Sequence, residues 1–290
     1  MNILITGSNG QLGSELRLLE PGCTQHTFVN TDIAELDITD EQTVAAFVSK
    51  NNIDIIINCA AYTAVDKAES NADKAHLLNA LAPEYLAKAI ERRGGRMIQI
   101  STDYVFDGTA HTPYTEDCPP CPCSVYGSTK LEGERRVTAA CRHAIVIRTA
   151  WLYSAFGNNF VKTMIRLGRE RDTLGVVFDQ VGTPTNAADL ASAIMQIVES
   201  GKMENVGDVA PIFHYSDEGV CSWYDFTKAI HRLAGITGCR VSPLHTADYP
   251  TPARRPAYSV LDKTKIKQTF GIGIPHWEES LAGCIRKFDV

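Results

Sequence analysis

Tyr126 and Lys130 stand four residues apart in Tyr126-Gly127-Ser128-Thr129-Lys130. On a helix that spacing puts both side chains on one face. The Lys130 ammonium would then favour the phenolate and draw the phenol from its ordinary pKa of about 10 toward neutrality, as a tyrosine general acid requires. Taken alone, a Tyr-x-x-x-Lys pair is an ordinary solvated helix surface. Here it follows Ser101-Thr102-Asp103, which ends an apolar run and supplies a hydroxyl donor at Thr102. A second constellation, Thr6-Gly7-Ser8-Asn9-Gly10-Gln11-Leu12-Gly13, lies between an apolar run and a helical pattern. Such a turn brings backbone N–H groups and a helix N-terminus against a pyrophosphate. Its spacing is G-x-x-G-x-x-G, not the commoner G-x-G-x-x-G, and by itself it is also a plain tight connection. Asp32, 22 residues beyond Gly10, adds a carboxylate suited to the adenosine ribose hydroxyls, which makes dinucleotide binding the expectation. Asp37-Ile38 either meets the adenine amino group or, with Thr39, caps the next helix. The small residues Cys59-Ala60-Ala61, ahead of Tyr62-Thr63, would let the nicotinamide end approach; they are also ordinary packing.

These residues need a scaffold that brings them to one edge. Strand-like runs at 2–6, 26–30, 54–58, 96–101 and 144–148 alternate with helical patterns at 11–20, 41–51, 72–93 and 130–141. Alternation of that kind predicts an α/β fold of Rossmann type, a doubly wound parallel sheet with helices on both faces. After about Ala150 the pattern changes: an amphipathic stretch at 158–171, a β-rich run at 174–178, and denser Pro and Gly from Gly235 onward. We expect a dinucleotide-binding domain at 1–150 with a returning helix around 186–200. Residues 151–185 and 201–290 then form a smaller α/β C-terminal lobe that binds substrate. Ser222-Trp223-Tyr224-Asp225-Phe226 reads as a helix start with a buried face.

The 290 residues carry 28 Lys+Arg against 34 Asp+Glu, a net charge of -6, and are 44% hydrophobic, which excludes a disordered chain. The apolar runs are too short for a membrane span. The start lacks a secretory leader pattern, so a cytoplasmic protein is expected. Net acidity argues against a nucleic-acid partner, so an anionic ligand must be held by helix N-termini and local arginines. Nine scattered cysteines fit free thiols in a reducing compartment. Cys118-Pro-Pro-Cys121-Pro-Cys123 has a metal-like spacing, but zinc needs four ligands and three prolines make a stiff surface loop. No metal site is assigned.

Several longer runs carry a resemblance. The glycine turn, Asn58-Cys59-Ala60-Ala61, Ser101-Thr102-Asp103 and Tyr126-x-x-x-Lys130 are together similar to the extended short-chain dehydrogenase/reductases. More narrowly, 61–69, 101–108, 148–153, Asp179-Gln180-Val181-Gly182-Thr183-Pro184-Thr185 and Pro252-Ala253-Arg254-Arg255-Pro256 resemble the dTDP-4-dehydrorhamnose reductase family, from Met1 to about the last twenty residues. The resemblance implies reduction of the C4 ketone of dTDP-4-dehydro-β-L-rhamnose with NADPH or NADH, the last step in supplying rhamnose for polysaccharide. It puts catalysis on Thr102, Tyr126 and Lys130, and substrate contacts on Thr102, Asp103 and Trp151. Cofactor contacts fall on Gly10, Gln11, Leu12, Asp32, Asp37, Ile38, Ala61, Tyr62 and Thr63, with Gly7, Gly13 and Ala60 beside them and Lys130 on the nicotinamide ribose. Trp151 either stacks on sugar or fills an inter-lobe core; Arg254 and Arg255 either fork onto the diphosphate or sit on the surface. Asp32, with no arginine seen near it, would repel a 2′-phosphate and favour NADH, whereas the family often accepts NADPH. Some relatives form dimers bridged by Mg²⁺. Glu15 is the candidate here, against a plain solvated carboxylate, and both monomer and homodimer stay open. Cys59 replaces the usual Ala. Two rivals remain: another nucleotide-sugar reductase, epimerase or dehydratase, and a non-catalytic subunit resembling the regulatory one of methionine adenosyltransferase. Tyr104 stands where a dehydratase has Glu, which counts against that enzyme.

Overall fold

The computed structural model describes residues 1–205 and 212–288. Five strands, β1 (Asn2–Thr6), β2 (Thr27–Thr31), β3 (Ile55–Asn58), β4 (Arg96–Thr102) and β5 (Ala144–Thr149), form a parallel sheet with Ile212–His214. Across the sheet the order is Ile212–His214, β5, β4, β3, β1, β2. β3 and β5 are buried at every position, which is why they read as continuous apolar runs instead of alternating ones. Along β1 the side chains still alternate: Ile3 and Ile5 join one core layer, Leu4 the other.

The first layer holds α1 (Gln11–Leu19) and α8 (Ala187–Glu199), whose Leu190, Ile194 and Ile197 meet Leu16 and the sheet. The second holds α2 (Glu41–Lys50), α5 (Ala82–Glu91) and α6 (Val125–Ala140). Helices on both faces make the sheet doubly wound. Neighbouring β1 and β3 lead into opposite halves of it, so a crevice opens at their carboxyl ends. Among the described residues no helix is long and apolar enough to cross a membrane.

Three expectations need correcting. The strand Ile212–His214 lies in the stretch 201–290 given to the substrate lobe, yet it pairs with β5, His214 opposite Arg148. Ile266 and Phe270 also pack into the sheet's core, so that stretch is shared between sheet and lobe; it covers β5, which would otherwise be an open edge. Second, α6 starts at Val125, five residues before the predicted 130, because the Ser124 hydroxyl accepts from the Gly127 N–H at 3.1 Å. Tyr126 and Lys130 therefore share one helix. Third, the helix predicted over 72–93 is broken: after α3 (Val65–Ala68) and α4 (Ala72–His76) comes a π-helical turn, Leu77–Leu81. Pro83 has no N–H for the Asn79 carbonyl, and the turn widens there. The Asn79 carbonyl then faces α6, where a Cβ on Gly133 would overlap it.

The remaining chain builds a second core from α7 (Phe160–Glu170), the parallel pair Thr173–Val177 with Arg240–Leu244, and the helices Trp223–Leu233 and Trp277–Ile285. Ser222 and Asp225 form a capping box at the start of the first of these, and Phe226 is fully buried, as the sequence suggested.

Gly133→Ala should lower unfolding free energy by about 1–3 kcal/mol through overpacking against the Asn79 carbonyl. Urea titration followed by circular dichroism checks this; an unchanged midpoint would mean that α6 and the π turn are not in register as described.

Candidate active site

The crevice at the carboxyl ends of β1, β3 and β4 is a cleft of about 910 Å³. Gly7, at φ +63°, turns the chain out of β1, and a Cβ there would stand 2.8 Å from Ala60 Cα. A Cβ on Gly13 would come within 2.5 Å of Ser8 Cα. Gly10 caps α1 without any side-chain hydrogen bond, so the first N–H groups of the helix stay available to an anion. That cradle fits a dinucleotide pyrophosphate. Gln11, Leu12, Asp32, Asp37, Ile38, Ala60, Ala61 and Thr63 line the same cleft; Tyr62 does not, and its N–H is held by the Asn79 Oδ1 at 2.8 Å. The Asp37 carboxylate accepts from the Thr39 N–H at 2.9 Å and hydroxyl at 2.6 Å, bonds that lower its pKa. The cap of α2 falls instead to Asp40, which accepts from Gln42 and Thr43.

Thr102, Asp103, Tyr126, Lys130 and Trp151 line the other end of the cleft. The Thr102 hydroxyl accepts from the Tyr104 N–H at 3.2 Å and donates to Asp103 at 3.0 Å. Removal from water pushes Tyr126 up to about 12, opposed by a hydrogen bond with Thr102. This reverses the expected depression of the phenol by Lys130. The ammonium instead donates to the Ile100 carbonyl at 2.6 Å, and its own burial lowers it to about 8. The phenol therefore stays protonated, the form a proton donor needs. Burial also raises Asp103 to about 6 and the Cys59 thiol to about 12, so Cys59 borders the cleft as a neutral group.

Several supporting groups carry no local signal and were missed in the sequence. A buried polar ladder crosses three strands: Thr6 donates to Asn58 at 2.6 Å, Asn58 to Gln99 at 2.7 Å, and Gln99 to the Ile100 carbonyl at 2.9 Å, the same oxygen that Lys130 uses. Glu134, one turn after Lys130, accepts from Ser101 at 2.5 Å and from Arg148 at 2.9 and 2.7 Å. Asn79 ties the Tyr62 backbone to Thr129 of α6.

Trp151 stacks on Trp223 with centroids 3.5 Å apart, the packing its core reading expects, and it also lines the cleft. Arg254 and Arg255 lie outside the cleft lining. Arg254 is exposed, and Arg255 forks onto Asp66 of α3 at 3.0 and 2.7 Å, which commits it to joining the two parts of the chain rather than to a diphosphate. Glu15 is neither solvated nor presented for a Mg²⁺ bridge: it is 3% exposed, accepts from Ser154 at 2.6 Å, and lies 3.8 Å from the Lys287 ammonium. Among the described residues no group of His, Cys, Asp and Glu is arranged to hold a metal.

The family model of the RmlD substrate binding domain matches residues 1–290. The dTDP-4-dehydrorhamnose reductase of Aggregatibacter actinomycetemcomitans is 42% identical over 287 residues, covering 96% of each chain. The chain belongs to the dTDP-4-dehydrorhamnose reductase family. Its fold superposes on the crystal structure of a family member from Clostridium acetobutylicum with TM-score 0.93 at 46% identity, and on that of Bacillus anthracis, solved in complex with NADP, with TM-score 0.92 at 38% identity; each match covers 99% of both chains.

Glu134→Ala would leave Arg148 charged and unpaired in the core and should cost about 3–5 kcal/mol of stability. Differential scanning calorimetry of this variant checks it; a loss under 1 kcal/mol would show that water reaches Arg148.

Proposed function

We propose that this chain reduces the C4 ketone of dTDP-4-dehydro-β-L-rhamnose to dTDP-β-L-rhamnose at the expense of NADPH or NADH. The observation that carries the reading is the convergence of Thr102, Tyr126 and Lys130 with Asp103 and Trp151 in one cleft with the glycine cradle. The cofactor, when bound, supplies hydride to the ketone carbon. The glycine turn and α1 N-terminus hold its pyrophosphate, Asp32 its adenosine ribose, and Lys130 its nicotinamide ribose. Tyr126 gives its phenolic proton to the oxygen that becomes an alkoxide. Thr102, turning its one hydroxyl hydrogen away from Asp103, donates a hydrogen bond to that oxygen as charge develops. Asp103, ionised above about 6, accepts from sugar hydroxyls, and Trp151 offers an aromatic face to the ring. Residues 151–185, with the parts of 215–288 that leave the sheet, form the lobe that covers the nucleotide-sugar. NADPH as the physiological donor is supported by the NADP complex of the Bacillus anthracis relative.

Elimination by a nucleotide-sugar dehydratase is not favoured at this site. The position after Asp103 carries the Tyr104 ring, edge-on to Tyr126 at 5.5 Å, where a carboxylate base would be needed.

Purified protein mixed with NADPH and dTDP-4-dehydrorhamnose should consume the nicotinamide absorbance, and Tyr126→Phe should lower kcat by about 10²–10⁴-fold. No oxidation at high protein concentration would remove the reductase reading; full rate in the variant would remove the role of Tyr126. The profile of kcat/KM should rise as Asp103 ionises near 6 and fall as Lys130 loses its proton near 8. Asp103→Asn should abolish the acid limb alone, and a limb that survives the change belongs to another group.

A further inference from the structure

We infer that Arg17 admits a 2′-phosphorylated dinucleotide beside Asp32 and so sets the preference between NADPH and NADH. The inference rests on the reductase reading and adds the residue that decides the cofactor. By sequence alone, Asp32 at the end of β2 disfavours a 2′-phosphate, since an acidic residue there pairs with a free ribose hydroxyl. The structure adds a cation, Arg17, that lies 15 positions before Asp32 in the sequence. Arg17 sits exposed on α1, and its Nη1 reaches back along the helix to donate to Asn9 Oδ1 at 3.2 Å. Asn9 belongs to the glycine turn, and its N–H donates to Asp32 Oδ2 at 3.3 Å. A guanidinium and the ribose-binding carboxylate thus flank one residue.

The carboxylate is also tied back. Its other oxygen accepts from the Ile33 N–H at 2.8 Å, so two backbone donors face its charge before any ligand arrives. Arg17, by contrast, makes no ion pair among the described residues. Its neutral amide partner at the surface is readily exchanged for a phosphate, which accepts two parallel N–H bonds from an arginine fork. Among the described residues two lysines and no arginine line the cleft itself: Lys130, beside the Ile100 carbonyl at the far end, and Lys74. With Arg17 in reach, the site takes either cofactor, Asp32 serving the ribose hydroxyl of NADH and Arg17 the 2′-phosphate of NADPH.

Calorimetric titration of the full chain with NADPH and NADH tests this, with adenosine 2′,5′-bisphosphate and adenosine 5′-monophosphate as probes that need no reaction. Arg17→Ala should raise the ratio of the NADPH to the NADH Kd by about 10- to 100-fold, the loss of a charge-assisted fork, and should discriminate against the bisphosphate in the same way. Arg17→Lys, which keeps the charge without the fork, should fall between. A ratio that moves less than twofold in Arg17→Ala overturns the inference, and so does a selective loss that follows Lys74→Ala instead. NADH binding by each variant reports that the site is folded. If the chain reduces no nucleotide-sugar but its bisphosphate affinity depends on Arg17, the inference stands and the reductase reading alone fails.

Discussion

Glu134 and Arg148 face each other in the core at 2% and 1% exposure, joined by two hydrogen bonds. Each charge taken singly costs several kcal/mol to remove from water, so neither is tolerable there without the other, and the pair dictates how α6 docks against β4 and β5. Ser101 of β4 donates to the same carboxylate. On the far side of Arg148 lies His214, lowered to about 3 by burial and by the arginine, and therefore neutral, with Nε2 3.5 Å from the guanidinium. The cluster locks the last two strands and α6 into one register. Lys130, one turn before Glu134, is thereby aimed at the Ile100 carbonyl, and Glu134 partly offsets the loss of hydration that would strip its proton.

A second constraint comes from a missing hydrogen-bond donor. Pro83 leaves the Asn79 carbonyl unserved within its helix, the π turn forms, and Gly133 is the residue of α6 that can lie against it. The Asn79 side chain then points both ways, to the Tyr62 backbone and to Thr129. The loop carrying Ala60, Ala61 and Thr63 along the cleft is thus fastened to the helix carrying Tyr126. A local defect in one helix positions two halves of the site relative to each other.

The two parts of the chain are joined by the buried Ser154–Glu15 hydrogen bond and by polar contacts that keep some access to water. Asp66 holds Arg255 and the Ala253 N–H, while Asn159 at the start of α7 donates to Gln11 at the start of α1. Ion pairs that keep partial contact with water contribute little to stability. The net charge of -6 fits this picture. With both proposed ligands carrying diphosphates, the overall field opposes binding, so affinity depends on the α1 N-terminus and on individual cations such as Arg17.

The alternation of strands and helices, the glycine cradle and the Tyr126–Lys130 pair were legible because each is a local property. Side-chain period and backbone turns are set by residues within one or two turns of one another. The start of α6 was misplaced only because Ser124 follows a proline-rich loop that masks the cap. What the sequence could not supply are quantities that depend on distant partners. The phenol of Tyr126 is raised rather than lowered because burial removes its water and Ile100 has taken the ammonium. Arg255 serves Asp66, 189 positions away, and Glu15 turns inward to Ser154, 139 positions away. The sequence by itself determined which chemical groups the chain owns and roughly which sheet edge they reach. Tertiary structure alone decided their protonation and their partners, because dielectric and hydrogen-bond competition are set by whatever packs nearby, however far away it lies in the chain.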